Sequence, residues 1–501
     1  MTEKARHKTL ETSEVRTSLG ARSARGGLVT VVAQGYSLLL KLAIGAVLGR
    51  LLAPEDFGLL AVGMLVSDAA IILRDFGLST SIIQREGLSN EELDRLFVWS
   101  ALLSLLTGGA IALSGEPLSR FFGEPRLVIL TPWLGVTMFV AGLGIVPLNL
   151  LKRQLKLDVV GANTVISATI GAVFAIALAY AGWGVKALIA QALVGTSVST
   201  IIAWWNAGWH PTGLGRKAQM KSIFTQSAGA GGAHLLSYAS RNFDNVIVGK
   251  LVGMGPLGHY TRAYQFTLVP PQLVQAVSAV AVPALARLQG EPARFREAFM
   301  AMHRAVMFVT LPPLVAMVAL GPEITLTLLG PNWGEAGELL RVLGLGALVL
   351  STGTATGWTS TALGQTGRQF ISNLVCTTLM FMSYLIGSRW GAMGVAWGGL
   401  AGAIAARAFA LPYSLAKSPI RPSDVASTIS RSLVSSTAGG LAGFGAAFAM
   451  SGQEPVIRLT GGCLAFAAAW AAVWFASPSG REEVFGLFAL LKQVRAGKGA
   501  A

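Results

Sequence analysis

Residues 159–182 read VVGANTVISATIGAVFAIALAYAG, 24 positions without one charged side chain. At 1.5 Å of rise per residue such a helix reaches about 36 Å, enough to cross the roughly 30 Å apolar core of a bilayer. No water hydrogen-bonds the backbone at that depth, and an α-helix satisfies every N–H and C=O within itself. Thirteen more runs of this kind flank it: 28–52, 57–83, 96–115, 127–150, 184–207, 222–248, 258–286, 305–329, 338–362, 370–387, 391–416, 425–450 and 456–477. The expected fold is all-α and polytopic, with about 14 transmembrane helices.

Composition points the same way. Of 501 residues 53% are hydrophobic and 13% charged, where soluble chains carry roughly 25% charged residues. The mean hydropathy is +0.59. A disordered chain and a cytosolic enzyme are excluded, because 24 acidic residues cannot cover a soluble surface of this size. The net charge of +15 would suit nucleic acid, but cytoplasmic loops of membrane proteins collect Lys and Arg, so no nucleic-acid partner is expected. Cys376 and Cys463 lie in apolar runs and read as small buried hydrophobes. No cleavable signal peptide is expected, since the first apolar run begins only at Leu28 and is too long for one.

Loop charge sets the orientation. With the N-terminus cytoplasmic, inside segments hold 25 Lys and Arg and outside loops hold 7, as the positive-inside rule requires of a chain with both termini cytoplasmic. An internal echo divides the chain: Gly49-Arg50-Leu51-Leu52 returns as Gly249-Lys250-Leu251-Val252, and Phe57-Gly58 as Leu257-Gly258, 200 residues on. Six helices separate the copies, so both enter the membrane from one side, the pattern of two parallel repeats. The expected organisation is a cytoplasmic tail 1–27, an N-lobe 28–207 (helices 1–6), a cytoplasmic linker 208–221, a C-lobe 222–416 (helices 7–12), a helix pair 425–477 and a cytoplasmic tail 478–501. Segments 287–304, with Phe295, Phe299 and Met302 on one face, and 481–495 read as interfacial helices or partner-binding segments.

Seven basic residues lie more than two positions inside the ends of the apolar runs: Lys41, Arg74, Arg241, Arg262, Arg341, Arg407 and Arg431. A central Lys or Arg costs about 2.5–3.5 kcal/mol on insertion scales, so each needs water, a partner or an anionic ligand. In the first helix Gln34, Ser37 and Lys41 share a face. In the second stand Asp68, Arg74 and Asp75, suited equally to internal pairing. In the seventh, His234, Ser237, Arg241 and Asn245 form a polar stripe with Asp244 alongside, and Arg241 could pair with Asp244 at i,i+3. In the eighth, Pro270-Pro271 should break the helix that carries Arg262 and Gln265. Gly45xxxGly49, Gly398xxxGly402 and Gly439xxxGly443 read as close helix contacts. Trp183, Trp204, Trp205, Trp209, Trp390 and Trp474, near span ends, read as an interfacial belt. There is no GxxxxGK[ST] loop and no HExxH or other paired metal-ligand motif, so no catalytic residue, metal site or cofactor is expected.

Two stretches carry a resemblance. Gly49-Arg50-Leu51-Leu52-Ala53-Pro54-Glu55-Asp56-Phe57-Gly58 resembles the GRLLxPxDFG signature of Wzx-type polysaccharide exporters, and residues 75–85, DFGLSTSIIQR, resemble the DxGLSxxxIQR element that follows it there. Residues 241–262 look like that family's repeat in the second lobe. The family belongs with the multidrug/oligosaccharidyl-lipid/polysaccharide exporters. The resemblance implies a non-enzymatic flippase of the bacterial inner membrane that translocates undecaprenyl-pyrophosphate-linked oligosaccharide, surrounded by membrane lipids and working with a polysaccharide polymerase and a chain-length regulator. It also implies a central cavity, with Lys41, Arg74, Arg241, Arg262, Gln34, His234 and Asn245 as its lining and Asp68, Asp75 and Asp244 as coupling or structural carboxylates. A peptidoglycan-precursor flippase or multidrug exporter shares this architecture, and an integral-membrane polymerase is the alternative of another class. A polymerase would carry a large external loop, and the longest outside loop here has about 11 residues.

Overall fold

The computed structural model describes residues 19–75, 78–85, 88–213, 238–239, 241–273, 275–476, 478 and 480–482. Among these, every regular element is helical. The chain forms two compact units, residues 1–242 and 243–501. Among the described residues, ten stretches are long and apolar enough to cross a membrane. One of them, Thr366–Leu415, is a hairpin of two helices. The seventh expected run falls mostly on residues 214–237, outside the described ones, so the count of 14 remains an expectation.

The first unit contains α1 (Leu19–Leu51), α2 (Pro54–Asp75), α3 (Leu78–Gln84), α4 (Asn90–Leu113), α5 (Gly115–Phe122), α6 (Leu127–Leu143), α7 (Ile145–Arg153), α8 (Leu157–Tyr180) and α9 (Val185–Ala207). Pro54 opens α2, where its missing N–H costs nothing. Ser89 and Glu92 form a reciprocal capping box that starts α4 six residues before the apolar run at 96. The second expected helix therefore stops at Asp75, and the fourth is interrupted at Gly144. Leu78, Ile82, Leu93, Leu96, Val146 and Leu150 form the core where α3, α4 and α7 meet. Asp94, 3% exposed, accepts hydrogen bonds from the Thr212 N–H at 3.2 Å and the Thr212 hydroxyl at 2.8 Å, fastening the chain beyond α9. Outside the spans, Arg126 grips Glu124 through Nε at 2.7 Å and Nη2 at 2.9 Å, which holds the Glu124 carboxyl below its usual range.

Helix α10, residues 241–251, crosses from the first unit into the second. The second unit continues through α11 (Met254–Thr267), α12 (Val269–Leu273), α13 (Gln275–Arg287), α14 (Pro292–Leu329), α15 (Gly334–Ser351), α16 (Thr354–Ala362), α17 (Thr366–Gly387), α18 (Gly391–Leu415), α19 (Pro422–Ala449) and α20 (Pro455–Phe475). The break before Pro270-Pro271 falls at Leu268, as proline chemistry requires. Segment 287–304 is not a separate surface helix: it runs on into the 38-residue α14, with Phe295 and Phe299 wholly buried against Trp358, Leu415 and Val425. Its apolar face finds protein, so it has no need of the lipid interface.

Two ion pairs and a buried histidine tie α14 to the last two helices. Arg296 Nε reaches Asp424 at 2.8 Å, His303 Nδ1 lies 2.8 Å from the Thr428 hydroxyl, and Arg458 pairs with Glu323. The small-residue contacts expected of α17–α20 are present. A Cβ on Gly439 would stand 2.9 Å from the Phe466 carbonyl and one on Gly443 2.9 Å from that of Gly462. At the tip of the α17–α18 hairpin, Gly387 and Gly394 each leave no room for a Cβ beside the other's carbonyl. Gly394→Ala is therefore expected to destabilise the protein by about 1–3 kcal/mol through overpacking, while Gly346→Ala, which meets nothing within 4 Å, gains up to about 1 kcal/mol of helix propensity. Thermal melting of the purified variants reads the difference, and equal melting temperatures would refute it.

Two readings from sequence change here. Cys463 is exposed and Cys376 half-buried, because their helix faces are turned away from the core. Trp209 and Trp474, 6% and 1% exposed, pack inside the protein instead of joining a belt. Trp183, Trp205 and Trp390 are exposed, as a belt residue should be.

Candidate functional site

The echo in the sequence is also an echo in structure. α1 ends at Leu51 and α2 starts at Pro54; α10 ends at Leu251 and α11 starts at Met254. Burial follows the same 200-residue register. Leu48, Gly49, Phe57, Gly58 and Leu59 are buried, and so are Val248, Gly249, Leu257, Gly258 and His259. Arg50 and Lys250 are both exposed. The same register aligns Lys41 with Arg241, the pair that the sequence repeat relates.

Each cation is exposed on a helix face that becomes buried nearer the helix end. Ile44 and Leu48 lie one and two turns beyond Lys41 on its own face, and both are buried; Leu39, Ala43, Val47 and Arg50, on the far face, are exposed. The stripe that packs against protein near the helix end thus opens at Lys41 and Gln34, which are exposed. Arg241 repeats this: it is exposed, while Asp244 and Val248 on its face are buried. A lipid-facing side chain would belong to the opposite stripe.

The remaining candidates are placed differently. Arg74 is buried, 8% exposed, and its Nη1 reaches the Met138 carbonyl and Sδ at 3.4 Å, inside the packing of α2 on α6. Asp75 accepts from the Ser79 hydroxyl at 2.7 Å and backbone N–H at 3.2 Å, holding the corner into α3, and Asn149 donates to the same hydroxyl at 3.1 Å. Asp68 is exposed beside Tyr238, whose hydroxyl donates to the Leu65 carbonyl at 3.1 Å. Asp244, 2% exposed, takes its hydrogen bond from the Tyr260 hydroxyl at 2.9 Å, not from the Arg241 that i,i+3 spacing offers. Arg262 is half-buried and donates to Gln265 at 2.9 Å; Asn245 is half-buried. His234 and Ser237 lie outside the described residues. Tyr260 carried no signal in the sequence, since its role depends on α11 folding back onto α10.

Among the described residues, ten apolar helical stretches are long enough to cross a membrane, and they define a polytopic all-α membrane protein. The sequence profile of the polysaccharide biosynthesis protein family matches residues 47–338, more than half of the chain, and the chain belongs to that family. It is 25% identical over 393 residues to the lipopolysaccharide biosynthesis protein WzxC of Escherichia coli (strain K12), a match covering 76% of this chain and 78% of that protein. It is 24% identical over 313 residues to the succinoglycan biosynthesis transport protein ExoT of Rhizobium meliloti (strain 1021), covering 62% of this chain and 63% of ExoT, less than two thirds of its length. Among solved structures, the lipid II flippase MurJ in an inward closed conformation superposes with a TM-score of 0.64 over 90% of this chain and 99% of MurJ, at 14% identity. That likeness establishes a shared fold.

Proposed function

We propose that this protein translocates undecaprenyl-pyrophosphate-linked oligosaccharide across the bacterial inner membrane, and that Lys41 and Arg241 each engage the pyrophosphate headgroup. The observation that carries the reading is the repeated helix–break–helix: α1 and α10, the helices before the two breaks, each present one exposed cation on a face that is buried nearer the break. A membrane span keeps such a charge only where it does work. Family membership and the relatives named for lipopolysaccharide and succinoglycan biosynthesis support the substrate class. Arginine matches phosphate oxygens bidentately, and lysine acts as a point charge. Gln34 and Asn245 extend the same polar stripes, His234 belongs to the same expected stripe, and Arg262 completes the cationic set. Arg74 is assigned to helix packing. Asp68 and Asp244 are the carboxylates available for ion coupling, and Asp75 serves the α2–α3 corner.

In this reading the protein is a transporter and not an enzyme, both termini are cytoplasmic, and a polymerase and chain-length regulator act on the delivered units outside. The excess of Lys and Arg in the segments assigned to the inside supports the orientation. The direct test is reconstitution. Purified protein in liposomes should move an undecaprenyl-pyrophosphate oligosaccharide carrying a nitrobenzoxadiazole label to the opposite leaflet, where added dithionite reduces the label and quenches it; transport no faster than in empty liposomes rejects the function. Reporter fusions at residue 215 and at the C-terminus should both read cytoplasmic, and a periplasmic signal from either overturns the topology.

A further inference from the structure

Arg407 lies in α18, eight residues before the helix ends at Leu415, about 12 Å of helix axis from that end. Its guanidinium does not extend to the helix end, as a snorkelling arginine would. It is seated instead against the corner between α15 and α16, where Gly353 leaves a notch: a Cβ there would collide with Nη1, Nη2 and Cζ of Arg407. The corner has a local cause. The hydroxyls of Ser351, Thr352, Thr354 and Thr356 donate to the carbonyls of Leu348, Val349, Ser351 and Gly353 at 2.7–2.9 Å, a pattern that bends helices.

The guanidinium is under-used by the protein. It has five N–H donors. One hydrogen bond runs from Nη1 to the Thr356 hydroxyl at a long 3.4 Å, and the enclosed Nε has no acceptor. The neighbouring Cys376 Sγ is spent on the Ala406 carbonyl at 3.5 Å. Three other arginines of this unit's helices meet a carboxylate, Arg296 with Asp424, Arg341 with Glu338 and Arg458 with Glu323. Among the described residues none forms an ion pair with Arg407. A partly accessible guanidinium, oriented by a hydroxyl and lacking a counter-charge inside an apolar span, is built to receive an anion from outside the protein.

We propose that Arg407, oriented by Thr356 and seated in the Gly353 notch, is an oxyanion-binding site of the second unit, additional to Lys41 and Arg241. The planar fork fits two oxygens of a phosphate or a carboxylate. Two sources share that chemistry: the pyrophosphate of the lipid carrier and an acidic sugar of the carried oligosaccharide. The choice of these sources rests on the transport reading above; the binding chemistry does not. Thr356 is a positioning residue, since it acts through Arg407.

The test uses the full chain in lipid nanodiscs carrying Lys41→Ala and Arg241→Ala, so that binding reports Arg407, with inorganic pyrophosphate and glucuronate titrated separately by calorimetry. At least one probe should bind. Arg407→Gln should weaken that binding at least tenfold, Arg407→Lys several-fold although charge is kept, and Thr356→Val about threefold. Loss confined to pyrophosphate identifies the headgroup as the source, and loss confined to glucuronate identifies the acidic sugar. If Arg407→Gln fails to fold, Gly353→Ala, which drives the guanidinium from its notch, takes its place and should weaken the same probe. Binding of neither probe, or binding unchanged by these substitutions, overturns the site. Failure of translocation in liposomes with this binding intact would reject the transport reading and leave the site standing.

Discussion

Polymer export falls roughly 10- to 100-fold when Lys41 is replaced by alanine, or Arg241 by alanine or lysine, at matched protein levels. The range corresponds to losing one charge-assisted hydrogen bond, about 1.5–3 kcal/mol. Arg241→Lys belongs with the damaging changes because lysine keeps the charge and loses the two-pronged grip on phosphate oxygens. Neither substitution should impair insertion, since removing a charge makes a span more apolar. The alternative, that Arg241 serves only to neutralise Asp244, predicts recovery of export when both are neutralised together. The structure argues against recovery, because the buried Asp244 is held by the Tyr260 hydroxyl at 2.9 Å. Normal export by both Lys41→Ala and Arg241→Ala would end the headgroup assignment, and recovery in the double variant would move Arg241 to a structural role.

Replacing Arg458 by methionine should destabilise the protein by about 3–5 kcal/mol, the cost of stranding one member of a buried pair. Glu323 is 3% exposed, its Oε2 has no partner, and Arg458 is the cation on its other oxygen. The pair joins α14 to α20 beside the small apolar cluster of Ala319, Leu320 and Ala447. Glu323→Gln should cost less than Arg458→Met, because an amide carries no orphaned charge. The double variant Glu323→Leu with Arg458→Met should recover most of the loss, since an apolar pair of similar volume needs no desolvation. Thermal denaturation in detergent reads all four proteins. An Arg458→Met variant melting with the parent would show that water already satisfies the carboxylate.

The fold class was written in the sequence because a bilayer imposes a one-dimensional rule. A span must be apolar along its own length, and its backbone bonds close within the same segment, so stretches such as 159–182 declare themselves without reference to any neighbour. Local chemistry was legible for the same reason: Pro270-Pro271 interrupts its helix. The 200-residue echo was visible at residues 49–58 and 249–258, where side chains at the helix break are constrained most closely.

What each buried polar group does was decided by the tertiary structure. Asp244 prefers Tyr260, Arg74 turns into the packing against Met138, and segment 287–304 covers its aromatic face with protein. Spacing along one helix lists the partners a side chain can reach, but it says nothing of those brought by another helix. Glu323 and Arg458 stand 135 residues apart, and Arg407 meets Gly353 only after two spans fold against each other. Charge in a membrane span is costly enough to demand a partner, so the sequence announced that these groups had work to do; packing alone determined which of them met a partner within the protein and which were left facing outward for a ligand.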